Sequence, residues 1–400
     1  MTGRANVQPQ MIRWARERAG KTLEDLQKPF PRLASWEAGE AQPTLRQLQA
    51  FAEKVHVPFG YLFLPAPPEE KLPVEDFRVM PGQDLRAPSI DLLDTIHLCQ
   101  VRQEWYRAYA EAEDLPRVTF YRSASVSDRA EDVACRLSES LDLDQTVRKP
   151  SSSWEDALRK LRDRFEDAGI LVMMNGVVGS NTRRRLDPRE FRGFALADDR
   201  APLIFVNASD TKAAQIFTLA HELGHIVLGS SGVSEVFSAS GPEVWPARAE
   251  EVWCNAFAAE LLVPEAELKS RLDRQILSQI ADALRGGEPV GPHIEPLARA
   301  FRVSTLVILR RLLDAGALPR EEFPRIWHQE AERLSRFPGR AGRPANPYMT
   351  ALARLGRRFT SAVVESAYSG QMGFADAFRL VGTWKPESFH RLGQLAGAIP

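Results

Sequence analysis

The apolar stretch from Ile216 to Leu228, which contains His221-Glu-Leu-Gly-His225, constrains this 400-residue chain more than any other feature. On a helix, two histidines four residues apart share a face and lie one turn from each other. Imidazoles so placed can both reach one ion, at about 2 Å from each nitrogen. Glu222 stands beside the first imidazole. A carboxylate there can take a proton from a water attacking a carbonyl and return it to the leaving amine. This is the His-Glu-x-x-His arrangement of zinc peptidases. Ile216, Phe217, Leu219, Leu223, Ile226, Val227 and Leu228 surround it, so the histidines sit in apolar company. The stretch also follows directly on Leu203-Ile-Phe-Val206, which reads as a short strand.

Two histidines leave zinc under-coordinated, because a catalytic site wants three protein ligands and one open position. The next helical stretch, about 247–263, offers Glu250, Glu251 and Glu260. Glu251 shares a helical face with Asn255, and Glu250 with Cys254 and Phe257. Periodicity alone barely separates Glu250 from Glu251.

Around these stretches the chain alternates in character. Residues 1–66 read as a helical module: Thr22 with Asp25 and Thr44 with Gln47 make capping boxes, and Gly39 is placed to end a helix. Residues 67–149 read as a linker and helical connection, with an amphipathic helix from Ile90 to about Glu113 and another carrying Val133, Leu137 and Leu141. Ser152 with Glu155 is expected to cap a helix that Gly169 ends. Segments 170–174, 193–196 and 203–206 then read as strands, within an α+β core over 150–270. Residues 271–400 read as a helical accessory domain. Pro- and Gly-rich stretches at 64–73, 149–153, 285–292 and 337–347 look like seams.

Here the sequence resembles a known family, the ImmA/IrrE zinc metallo-endopeptidases. The resemblance rests on Phe217-Thr-Leu-Ala-His-Glu-Leu-Gly-His225 and on the run from Glu251 through Asn255 to Pro264. It extends upstream through Gly169-Ile-Leu-Val, Phe191–Leu196 and Pro202–Asn207, and more loosely to the N-terminal module and Asp76-Phe77-Arg78. It implies a zincin core of gluzincin type, a Zn2+ cofactor, and a third ligand four residues before the Asn of the second motif, which is Glu251. His221 and His225 would be the other ligands and Glu222 the catalytic base. The substrate it implies is a helix-turn-helix transcriptional repressor, cleaved in stress response or mobile-element control.

Composition bounds the alternatives. The chain is 44% hydrophobic and 26% charged, with 52 Lys and Arg against 53 Asp and Glu. That balance excludes global disorder and a generally basic nucleic-acid coat. No apolar run has the length of a membrane span, and the N-terminus lacks the apolar segment of a secretion signal. Three scattered cysteines suit buried thiols in a reducing cytoplasm.

A DNA-binding regulator using the peptidase core as sensor or scaffold is the second reading, and the N-terminal module bears on it. Trp36-Glu-x-Gly-Glu40 resembles the end of a repressor recognition helix. Yet only 16 residues separate Thr22 from Gly39, and Pro29 and Pro31 are among them. The recognition helix must be short, about Arg32 to Ala38, with Arg32 its only cation. Residues 1–64 carry a net charge of only +3 (nine Lys and Arg, six Asp and Glu). A degenerate helix-turn-helix that does not read DNA sequence is expected. The basic runs Arg183-Arg184-Arg185 with Arg189 and Arg192, and the seven arginines of 331–358, read as solvated segments. Leu306, Leu309 and Leu313 are expected to form an apolar stripe, with Arg310 and Arg311 on a charged face. His56, His97, His293, His328 and His390 read as ordinary imidazoles.

Overall fold

The computed structural model describes residues 4–68, 72–76, 88–143, 153–234, 248–336, 346–383 and 385–399. Two compact units emerge: residues 1–73 with 85–96, and residues 74–84 with 97–400. The expectations at Ser152, Phe77 and Arg78, and most of the seams at 149–153 and 337–347, lie outside the described residues.

The first unit is helical, with α1 (Pro9–Arg18), α2 (Leu23–Gln27), α3 (Leu33–Glu37) and α4 (Leu45–Val55). Both capping boxes form: the Thr22 and Thr44 hydroxyls accept from the Asp25 and Gln47 amides, and both side chains return the bond. Pro29 and Pro31 fall between α2 and α3, where a fixed φ and a missing N–H are tolerated. The two helices they separate have five residues each. Phe30, Trp36, Phe51 and Leu62 fill the core. Buried Glu37 on α3 takes a two-pronged hydrogen bond from Arg16 on α1, at 2.7 and 2.9 Å.

The second unit holds β1 (Glu75–Asp76), the part of α5 (Ile90–Ala112) from His97 on, α6 (Ala130–Ser140) and α7 (Trp154–Asp167). The strands β2 (Leu171–Asn175), β3 (Val177–Val178), β4 (Asn181–Arg185), β5 (Gly193–Leu196) and β6 (Leu203–Asn207) follow. Then come α8 (Lys212–Leu228), β7 (Gly232–Ser234) and α9 (Ala249–Leu262). The remaining helices are α10 (Glu265–Arg271), α11 (Arg274–Gly286), α12 (Gly291–Phe301), α13 (Thr305–Asp314), α14 (Phe323–Ser335), α15 (Pro347–Leu355), α16 (Arg357–Tyr368), α17 (Phe374–Val381) and α18 (Pro386–Ala396).

The sheet has the order β1-β7-β5-β6-β2. Strands β2 and β6 are parallel, pairing Leu171 with Leu203 through Asn175 with Asn207. Strand β5 is antiparallel to both of its neighbours. Every residue of β5 and β6 is buried, which explains their apolar runs Phe194–Leu196 and Leu203–Val206. β3 and β4 form a separate hairpin that carries the three consecutive arginines.

Helix α8 is buried through most of its length, against the sheet and α9. Gly224 permits the close approach to α9, since a Cβ there would come within 3.0 Å of Cys254 Sγ. Phe165 of α7, Leu219 of α8, Phe257 of α9, Ile308 of α13 and Trp327 of α14 belong to one continuous core. Among the described residues no helix is long and apolar enough to cross a membrane.

The cap of α7 is Ser153, whose hydroxyl accepts from the Asp156 amide. One local expectation is corrected. On α13 the buried residues are Thr305, Val307, Ile308, Leu309, Arg311 and Leu312, while Leu306 and Leu313 are only half-buried. Arg311 is therefore inside the protein, where it donates to Val263 O at 2.9 Å and pairs with Glu260 of α9.

Candidate metal centre

Helix α8 presents His221 and His225 one turn apart, and α9 crosses it so that Glu251 faces both. The two Nε2 atoms lie 3.2 Å apart. Glu251 Oε2 is 3.3 Å from His221 Nε2, and Oε1 is 3.1 Å from His225 Nε2. Both histidines are fully buried, and Glu251 is 1% exposed.

The outer ring nitrogens fix which way the imidazoles point. His221 Nδ1 lies 3.0 Å from Asn255 Oδ1, an oxygen that can only accept, so Nδ1 carries the hydrogen. His225 Nδ1 lies 3.0 Å from Ser230 Oγ. Both inner Nε2 atoms face the buried Glu251 carboxylate, and with an ion present each would turn its lone pair inward. Lone pairs gathered at this range and shut off from water call for a cation. Donors around a tetrahedral ion at 2.0–2.1 Å stand about 3.3 Å apart. The observed spacings fit, and these three groups could hold one metal ion.

Glu222 is fully buried beside them. Burial, reinforced by the Glu251 charge, pushes its carboxyl well above the usual range. Burial also acts to raise Glu251, but the charges and hydrogen bonds of His221 and His225 outweigh it and hold that carboxyl far below its ordinary value. Two neighbouring carboxyls are thus driven apart, one toward holding a proton and one toward staying charged. Space for Glu222 depends on Gly193 of β5. A Cβ at that position would meet Thr218 Cγ2 at 2.5 Å, Phe205 O at 2.8 Å and Glu222 Oε1 at 3.0 Å.

Comparison with protein families matches residues 165–313 to the IrrE N-terminal-like domain, a peptidase family. This stretch is similar to an IrrE N-terminal-like domain. The matched stretch contains all three donors and Glu222, and it runs on into α13. Residues 355–394 match a second domain whose function is unknown. No curated protein and no solved structure matches the chain.

The geometry separates the acidic candidates of α9. Glu251 joins the histidines, and Glu260 pairs with Arg311 instead. Glu250 is half-buried and outside the donor cluster. Of the basic run, Arg189 pairs with Asp187 at 2.9 Å and Arg192 with Asp210 at 3.4 Å. The sequence reading missed Ser230, Ser234 and Gly193. Ser234 Oγ lies 3.1 Å from His225 Nε2, yet a lone hydroxyl outside a spaced motif gives no sequence signal.

Proposed function

We propose that this chain is a zinc-dependent endopeptidase that cleaves a helix-turn-helix repressor inside the cell. The observation that carries the catalytic part is the joint burial of His221, His225 and Glu251 with a fourth group, the Glu222 carboxyl. A bare structural site has no use for that fourth group. The substrate follows from the family resemblance alone.

In this reading His221 Nε2, His225 Nε2 and the Glu251 carboxylate hold the ion. Zinc, when bound, supplies Lewis acidity that polarises the scissile carbonyl. Asn255 and Ser230 keep both imidazoles in the orientation that points Nε2 inward. Glu222 accepts the proton of the attacking water and delivers it to the leaving amine, a transfer worth about 10²–10⁴ in rate. The full burial of His221, Glu222 and His225 keeps bulk water away and strengthens each of these interactions.

The test is metal analysis of the full chain, together with incubation with the helix-turn-helix protein encoded beside it, wild type against Glu222→Gln. Specific cleavage that requires both zinc and Glu222 supports the reading. A metal-free protein, or cleavage that persists in the variant, overturns it.

A further inference from the structure

We propose that the Ser234 hydroxyl caps the metal centre, standing at the fourth corner of the tetrahedron formed with His221 Nε2, His225 Nε2 and the Glu251 carboxylate. The proposal rests on the preceding reading of those three groups as the metal ligands. Three observations carry it. The first is distance: Ser234 Oγ lies 3.1 Å from His225 Nε2, within the 3.1–3.3 Å that separate the three donors from one another. The Ser234 O–H also serves the Glu222 carboxyl as a hydrogen-bond donor, which leaves the Oγ lone pairs for an ion.

The second is placement. Ser234 ends β7 and stands in register opposite Gly193 of β5. Gly193 is the residue whose missing Cβ leaves room for Glu222 Oε1. The β7 backbone therefore delivers the hydroxyl to the corner shared by the donors and the candidate base, where the attacking water must stand during catalysis. The third is closure. Ser234, His221, Glu222 and His225 are each 0% exposed. Strand β7 takes the outer edge of β5, and β1 in turn takes the outer edge of β7. Among the described residues these four groups have no exposure to solvent.

A neutral hydroxyl is a weak, replaceable ligand, unlike a cysteine thiolate. The strand that carries it is weakly held as well, with three residues in register on β5 and two on β1. An extended segment of a protein substrate that pairs with β5 in place of β7 would withdraw Ser234 and open the fourth corner. The resting chain is accordingly latent, and its partner's own backbone opens it.

The experiment loads the full chain with Co2+ and titrates acetohydroxamate, a small metal-binding probe, following the visible cobalt spectrum. Ser234→Ala should bind the probe at least about tenfold tighter than wild type. Ser234→Cys should add a thiolate-to-cobalt charge-transfer band in the near ultraviolet that wild type and Ser234→Ala lack. Equal probe affinity in wild type and Ser234→Ala, or a Ser234→Cys protein that binds cobalt without the new band, overturns the cap while leaving the three-ligand reading intact. Failure of wild type to bind cobalt at all overturns that reading and the cap with it.

Discussion

Replacing Arg311 by Leu tests whether the helices after the peptidase motifs are part of the core that holds the metal centre. Arg311 sits on α13 with 4% of its side chain exposed, and its partner Glu260 sits on α9 with 8% exposed. Glu260 Oε1 also accepts from the Glu265 amide at 3.3 Å, so the carboxylate is anchored and cannot swing to solvent. Removing one partner of a buried pair strands the other charge and costs about 3–5 kcal/mol. At roughly 2–3 °C per kcal/mol for a unit of this size, the melting temperature should fall by roughly 6–15 °C. Removing Glu260 as well, in Arg311→Leu with Glu260→Leu, takes away the stranded charge. What then remains is mainly the Val263 carbonyl left without its donor, a loss of about 1–3 kcal/mol. The double variant should therefore be more stable than Arg311→Leu alone. Thermal and urea unfolding of the full chain measure both quantities. A loss below about 1 kcal/mol in the single variant, or losses that add to within about 0.5 kcal/mol in the double one, would refute the reasoning.

Other outcomes follow from the same structure. Glu251→Ala should weaken zinc binding severely and Glu250→Ala hardly at all, and Asn255→Ala should cost about 10–100-fold in affinity; competition with a chromophoric chelator measures all three. Burial raises the Glu166 carboxyl to about 7, against the opposing pull of Arg162, the Arg358 amide and Arg357. A carboxyl whose folded value lies above its unfolded one binds the proton more tightly when folded, so stability is fullest below the unfolded value near 4.5 and is lost as pH rises toward 7. Glu166→Gln should flatten that slope in unfolding free energy measured from pH 4.5 to 8; an unchanged slope would exclude Glu166 as its source. The N-terminal module should not bind the operator upstream of its own gene tighter than about micromolar at physiological salt, which a fluorescence titration of the full chain measures. Specific binding abolished by Arg32→Ala would restore the DNA-binding regulator reading.

How much of this could be read from the chain alone depended on burial. β2, β5 and β6 are buried on both faces, so each stands out as a short apolar run. The histidines of α8 were legible because four-residue spacing has a direct geometric meaning. Glu251 was not separable from Glu250 by pattern, and α9 shows why. Glu251, Trp253, Cys254, Asn255, Phe257 and Ala258 are all buried, so the helix has no dry face and wet face to phase against. The same situation misled the reading of α13, where a leucine stripe was visible but the buried face also holds Val307, Ile308 and Arg311. Strands of two and three residues, such as β1 and β7, are too short to show alternation, and Ser230 and Ser234 act through single hydroxyls that only the folded chain brings to the histidines.

The central claim is that Glu222 moves the proton for hydrolysis at a zinc held by His221, His225 and Glu251. Mass spectrometry of the neighbouring repressor after incubation with zinc-loaded protein tests it most directly. The account expects defined fragments with the wild type, and a loss of at least about 10²-fold in rate with a Glu222→Gln protein that still carries one zinc. Fragments formed at the same rate by that zinc-replete variant would contradict it.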